Sequence, residues 1–439
     1  MHVTAPTPVE HAAFSFVQTS GGIEEYRLEA NGLQVLLLPE AAAPVVTFMV
    51  TYRVGSRNER AGLTGATHLL EHLMFKGTDR YNKEAGTSIF STLQRVGAQI
   101  NATTWYDRTN YYELLPKEHL ALAVEIEADR MRNARVSPDD LASERTVVLN
   151  ELDRGENDST RKLLHALYAT AFFAHPYGHP TIGWRSDVER VTADGLRHFY
   201  DTYYWPDNAT VSVIGDIDRE AALALVDEHF GAIPASPDPF EHLVTEEPPQ
   251  QGERRVTVRM AGQLGTVMMG FKSAPALDPL ADAQSVLAMA LGSGKSSRLF
   301  RALTDRGLTT SASAFAPRLR DPGLFIVYGA LAPDVDHATA EEAMWEVLET
   351  VIDGGITASE LQRAKNQIVA YEAFGRDGPY AIASQLNEAI AAGDWTLYTT
   401  YLDRIERVTL DDVHAAARQT FDRDALTVGY YDPLIADAA

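Results

Sequence analysis

The tripeptide Arg-Val-Thr occurs at 190–192 and again at 407–409, an offset of 217 positions. Each copy opens a stretch with helical spacing that leads into a Thr-Val strand, at Thr210-Val211 and Thr427-Val428, and the offset holds without a gap. At the same offset Leu196 falls on Val413 and Tyr204 on Phe421. Self-similarity at that distance predicts two related α/β halves of roughly 220 residues, each large enough to bury its own core. Between them, 233–253 (IPASPDPFEHLVTEEPPQQGE) carries five prolines and clustered acids and reads as a linker. The expected division is 1–232, a linker at 233–253, and 254–439.

The first half reads as strands, then helices. Leu33–Leu38 and Val45–Tyr52 are β-branched and apolar runs bounded by turn residues. Gly65–Phe75 has helical spacing and stops at Gly77, a C′ glycine. Gly97–Leu115 is rich in Thr, Tyr and Asn and suggests paired strands. Glu118–Asn133 and Ser137–Glu151 show helical periodicity, and Thr210–Ile214 reads as a short strand. Beyond the linker the strand-then-helix order begins again.

Composition removes several functions. The net charge of −23 argues against nucleic-acid or anionic-membrane partners, which need basic patches. The absence of cysteine excludes disulfides, thiol nucleophiles and thiolate zinc ligands. No apolar run approaches the roughly 18 residues of a membrane span. Met1–Gly22 lacks a basic stretch followed by an apolar one, so no secretory signal is expected.

Chemistry concentrates at His68-Leu69-Leu70-Glu71-His72. On a helix His68 and His72 stand at i and i+4, so both imidazoles share one face and can grip one ion. Glu71, at i+3 from His68, leans toward that face, while Leu69, Leu70 and Leu73 are free to anchor the helix. This is the His-x-x-Glu-His order of inverzincins; two surface histidines on an amphipathic helix is the plainer reading. A catalytic zinc needs a third protein ligand and an open position. Glu144 and Glu151 lie seven apart in SERTVVLNELD, two helical turns and therefore one face. One as ligand and the other as its support is the sharper reading, and a solvated acidic stripe the blander one.

With SERTVVLNE, Asn101-Ala102-Thr103, HPYGHPTIG (His175–Gly183) and LGSGKSSRLF (Leu291–Phe300), the pentapeptide resembles the M16 inverzincin metallopeptidases, the pitrilysin, insulysin and mitochondrial-processing-peptidase group. The resemblance covers nearly the whole chain. It implies an α+β chain made of two homologous α/β-sandwich domains of the LuxS/mitochondrial-processing-peptidase-like metallohydrolase type. It implies a zinc metalloendopeptidase, with His68, His72 and Glu151 as ligands to one Zn2+ per chain. Glu71 would be the general base and Glu144 the supporting acid. Family members bind extended peptides as an added antiparallel strand, which would place Asn101 and Ala102 beside the scissile bond; from the residues alone Asn101 could equally be a turn or strand-end residue.

The pattern breaks in the second half. Full-activity relatives carry an Arg and a Tyr seven apart after the Gly-rich loop; here Thr304 and Thr310, six apart, fall within one residue of those places, with Arg306 out of phase. The second half also lacks a His-x-x-Glu-His. The resemblance then implies the zinc-bearing subunit of the short-chain type. The expected partners are peptide substrates and a second M16 chain that supplies the Arg and Tyr, with a homodimer as the alternative. A non-catalytic core-type assembly or peptide-binding subunit of the same fold is the rival function. The expected compartment is the cytoplasm, or the periplasm if a leader has been removed.

Other signals carry less. Gly292-Ser293-Gly294-Lys295-Ser296 suggests a P-loop, but the glycine that pattern requires is Met289. His175 and His179, among Pro176, Gly178 and Pro180, read as loop residues. Tyr200, Tyr203, Tyr204 and Trp205 read as packing at a helix end.

Overall fold

A computed structural model describes residues 8–238, 240 and 244–434. Pro239 and 241–243 of the expected linker, with the first seven and last five residues of the expected halves, lie outside the described residues. The strands are β1 (Phe14–Ser20), β2 (Ile23–Leu28), β3 (Gln34–Pro39), β4 (Val45–Tyr52), β5 (Gln99–Thr104), β6 (Thr109–Pro116), β7 (Ala209–Gly215), β8 (Arg254–Ala261), β9 (Thr266–Lys272), β10 (Thr309–Phe315), β11 (Leu324–Leu331) and β12 (Thr427–Leu434). The helices are α1 (Ala66–Leu73), α2 (Ile89–Arg95), α3 (Leu120–Asn133), α4 (Pro138–Glu156), α5 (Ser159–Ala171), α6 (Arg185–Arg190), α7 (Ala193–Tyr203), α8 (Arg219–Phe230), α9 (Pro279–Gly292), α10 (His337–Gly354), α11 (Ala358–Phe374), α12 (Pro379–Ala392), α13 (Leu397–Arg407) and α14 (Leu410–Thr420). Among the described residues no helix is long and apolar enough to cross a membrane.

The two sheets carry the repeat. The first runs β1-β2-β3-β7-β4-β6-β5 and the second β10-β11-β9-β12-β8. In the first, β7 lies parallel to β3 and antiparallel to β4; in the second, β12 lies parallel to β8 and antiparallel to β9. Reading β3-β7-β4-β6-β5 against β8-β12-β9-β11-β10 gives one topology twice, with β1 and β2 added to the first. The local details repeat as well. The Thr192 hydroxyl caps α7 by accepting from Gly195 N at 3.1 Å, and the Thr409 hydroxyl caps α14 from Asp412 N at 3.2 Å. Leu196 and Val413 are fully buried, as are Tyr204 and, nearly, Phe421.

The chain divides into two compact units, each drawn from separate segments. One comprises Met1–Asn150, Pro180–Leu243 and Phe374–Thr399; the other Glu151–His179, Val244–Ala373 and Thr400–Ala439. These cut across the contiguous division at 233–253, because each sheet takes a helix from a remote part of the chain to cover its second face. Sheets buried on both faces read as unbroken apolar runs rather than alternations, and β7 (ATVSVIG) is buried at every position. In the first unit α1, α3, α7 and α8 contribute to the core on one face. On the other, Ile382, Ala383, Leu386 and Ile390 of α12 pack on Leu36, Met49 and Ile214. Buried polar contacts fix its register, with the Thr51 hydroxyl donating to Asn387 Oδ1 at 2.8 Å. In the second unit α9, α10 and α14 form the core with β9 and β11, and α5 covers β8, β9 and β12. Glycines admit α5 to that sheet: a Cβ on Gly429 would stand 3.0 Å from Leu163 Cδ1, and one on Gly270 3.2 Å from Leu167 Cδ2.

Candidate metal centre

Helix α1 presents the pentapeptide, and its start is fixed by side chains from outside the helix. Its N-cap is Gly65 at φ +82°, which offers no side chain to the first turn. Glu59 supplies the cap instead. Its carboxylate, 5% exposed, accepts from Gly65 N and from Thr67 N, each at 2.8 Å. Asp187 fixes the preceding turn by accepting from Gly62 N, Thr64 N and the Thr64 hydroxyl. Leu69, Leu70 and Leu73 are fully buried, so the opposite face of α1 turns His68, Glu71 and His72 together.

The structure brings His68, His72 and Glu151 together: one ligand atom from each lies within 4.8 Å of the others. The compact unit carrying α1 ends at Asn150, within the unbroken helix α4, and Glu151 is the next residue of that helix. Two turns earlier on α4, Glu144 Oε2 meets His72 Nδ1 at 2.9 Å, and its Oε1 takes Lys76 Nζ at 2.5 Å. Val148, buried between the two acids, seats α4 on the core, and Arg145 ties it down by donating to the carbonyls of Val188 and Val191.

Electrostatics set the protonation. The hydrogen bond from His72, then the Lys76 ammonium, hold the Glu144 carboxyl below the usual carboxylate range despite partial burial. An ionised carboxylate only accepts, so His72 Nδ1 carries a proton and Nε2 is the nitrogen left to face an ion. Burial, reinforced by the neighbouring His72, pushes His68 down to about 3, leaving it neutral at physiological pH. Two imidazoles and one carboxylate form a ligand set for zinc, whose tetrahedral ligand atoms stand about 3.4 Å apart at bond lengths near 2.1 Å. The residues present fit the ion.

Glu71 is 9% exposed, and the Thr104 hydroxyl donates to its Oε2 at 3.0 Å. A cavity of about 490 Å³ opens beside it, lined by Glu71, His72, Phe75, Lys76, Lys83, Ser88, Phe90, Asn101 and Glu144. Phe75 and Phe90 stack in its wall with ring centroids 4.8 Å apart. Asn101 and Ala102 lie on β5, the edge strand of the seven-stranded sheet, which among the described residues pairs with β6 alone. Asn101 is exposed and lines the cavity, whereas Ala102 is buried and its backbone N–H donates to Asn101 Oδ1 at 2.9 Å.

Several of these groups escaped the sequence reading. Lys76 was accessible to it, at i+4 from His72. Thr104 stands two residues beyond Ala102 on the same strand face. Glu59 and Asp187 have no local signature, because their targets are backbone amides. Other residues picked out from the sequence have partners of their own. His175 caps a short turn by accepting from Tyr177 N and pairs with Asp321 at 3.0 Å. Thr304 and Thr310 bond locally, to the Thr309 hydroxyl and to Ala330 O.

Comparison with known proteins gives the family. Residues 34–184 match the family model described as insulinase (peptidase family M16), and 190–368 that of the peptidase M16 inactive domain. A Streptomyces coelicolor protein named as an uncharacterized zinc protease is 32% identical over 405 residues, covering 90% of this chain and 86% of its own length. The crystal structure of a protease from Helicobacter pylori superposes with a TM-score of 0.86 at 28% identity, over 94% of this chain and 99% of that one. The periplasmic protease PqqL from Escherichia coli shares the fold, with a TM-score of 0.78 at 20% identity, over 96% of this chain and 48% of its own. The chain belongs to peptidase family M16.

Proposed function

We propose that this chain is a zinc-dependent metalloendopeptidase that hydrolyses peptides or unfolded polypeptide segments. The convergence of His68, His72 and Glu151 within 4.8 Å, beside a cavity lined by Glu71, carries the reading. The names of its relatives, zinc proteases among them, support it. His68, His72 and Glu151 would hold one Zn2+, and Glu144 would keep His72 in its ligating tautomer. Zinc, when bound, supplies an acidified water and polarises a carbonyl. Glu71 would accept a proton from an attacking water and return it to the leaving amine, with the Thr104 hydroxyl orienting its carboxylate. The open edge of β5 at Asn101 and Ala102 offers backbone hydrogen bonds to an extended peptide, a recognition that reads few side chains and so favours unstructured substrates.

The same reading takes 1–232 and 254–439 as homologous halves joined at 233–253, and makes this chain the zinc-bearing subunit of a short-chain pair enclosing a chamber. A second M16 chain would contribute the Arg and Tyr whose places are held here by Thr304 and Thr310; a homodimer is the alternative. The length of PqqL, about twice the matched region, supports a complete unit built from two such chains. We place it in the cytoplasm, with the periplasm as the alternative. The rival, a non-catalytic core-type assembly or peptide-binding subunit, lacks the reason this chain has for keeping Glu71 at the cavity. Metal analysis and peptide cleavage decide between them. About one zinc per chain, with turnover abolished in Glu71→Gln and raised by a co-purified partner, is the expected result. Full zinc content with no peptide cut by the native assembly would leave the binding role.

A further inference from the structure

The cavity beside the ligand cluster is lined by two lysines with different surroundings. Lys76 is committed to Glu144 at 2.5 Å, whereas Lys83 has no ion pair among the described residues. The backbone that carries Lys83 is also held in place. Its neighbour Asn82 is 4% exposed and makes three side-chain hydrogen bonds: Nδ2 donates to Thr78 O at 3.1 Å and Asp79 O at 2.9 Å, and Oδ1 accepts from Ala85 N at 2.8 Å. Lys83 O accepts from Gly86 N at 3.1 Å, and the Thr87 hydroxyl donates to Arg80 O at 2.8 Å. The loop is therefore clasped on both sides of Lys83, and a ligand there has little backbone left to order.

The other charged groups of the cavity are matched. Glu144 is satisfied by His72 and Lys76, and Glu71 accepts from Thr104. Lys83 is thus the charge without a counterpart, and it shares the cavity wall with the stacked pair Phe75–Phe90. An apolar platform beside an unpaired ammonium on a clasped loop suits a side chain that ends in a carboxylate and has methylenes to lay on the rings. In a chain of net charge −23 the long-range field repels an acidic peptide. Attraction must then come from a contact shorter than the Debye length of about 8 Å.

We infer that Lys83 is a specificity-determining residue that selects peptides placing an acidic side chain, glutamate before aspartate, in the cavity beside the scissile bond. The inference rests on the peptidase function. The test uses zinc-loaded Glu71→Gln protein, alone and in its native assembly, with fluorescent extended peptides identical except for Glu, Gln or Lys at one scanned position. Binding is read by anisotropy and, in the background with Glu71 intact, cleavage by kcat/KM. The Glu peptide should exceed the Lys peptide by about fivefold at one position, the scale of a partly exposed ion pair. Lys83→Ala should level that ratio, and Lys83→Glu should invert it. Equal ratios in all three proteins, with peptides still bound and cut, would overturn the inference and leave the peptidase function standing. Absence of both binding and cleavage for every peptide would overturn both.

Discussion

Removing the Glu144 carboxylate tests whether the metal site depends on a group that does not itself reach the cluster. Glu144 Oε2 receives His72 Nδ1 at 2.9 Å, and side-chain exposures of 21% for His72 and 12% for Glu144 leave water little room to replace it. A hydrogen bond to a charged partner is worth about 1.5–3 kcal/mol. In Glu144→Ala the imidazole is free to rotate and to shift its proton to Nε2, so each zinc-binding event must first restore the ligating tautomer. Loss of such a support costs about 10–100-fold in metal affinity, or about 1.4–2.7 kcal/mol. The low exposure argues for the upper half of that range. Glu144→Gln retains an oxygen for Nδ1–H and should fall between, while Lys76→Met, which leaves the His72 contact intact, should weaken zinc by no more than about threefold. Competition with a chromophoric chelator at pH 7.5, with circular dichroism to confirm the fold, gives the three values. Affinity in Glu144→Ala within about twofold of the parent, or a larger loss in Lys76→Met than in Glu144→Ala, would refute the reasoning.

Two further changes probe the scaffold. Glu59→Ala leaves the buried amides of Gly65 and Thr67 without their acceptor, at about 1–3 kcal/mol each. The unfolding midpoint should drop by about 5–10 °C and zinc affinity should fall with it; an unchanged midpoint would show that water or a neighbour replaces the cap. Lys272 is pushed down to about 8, chiefly by burial, while its ammonium donates to Ala171 O and lies over the Phe172 ring. Between pH 8 and 10.5 the unfolded chain therefore binds a proton that the folded chain has lost. The contribution of Lys272 to stability is accordingly fully present above that window and is lost as pH falls through it. Lys272→Met should remove about 2–3 kcal/mol of that pH dependence, read as the difference between parent and variant in urea midpoints at pH 8 and 10. Identical slopes would contradict the burial account.

What the sequence disclosed about the site depended on how far apart the cooperating groups are along the chain. His68, Glu71 and His72 share one helix, and Glu144 and Glu151 another, so helical period alone aligned each set. Which acid faces the imidazoles is a property of how α4 lies against α1, and no spacing within either helix encodes it. Val148 and Arg145 set that geometry through the core and through carbonyls at the end of α6. The repeat was visible because its markers, Thr192 and Thr409, are caps with a local signature. The crossing-over of α5 and α12 was not, because an amphipathic helix records that it needs a sheet and not which sheet. That choice lies in the receiving surface: Gly270 and Gly429 leave room for Leu163 and Leu167, while Thr51 offers α12 a partner for Asn387. Glycines in strands weaken a prediction of strand, so the residues that admit α5 are the ones a propensity reading discounts. A motif search finds the residues that act on the substrate; the residues that bring two helices into register must be found from the surfaces that receive them.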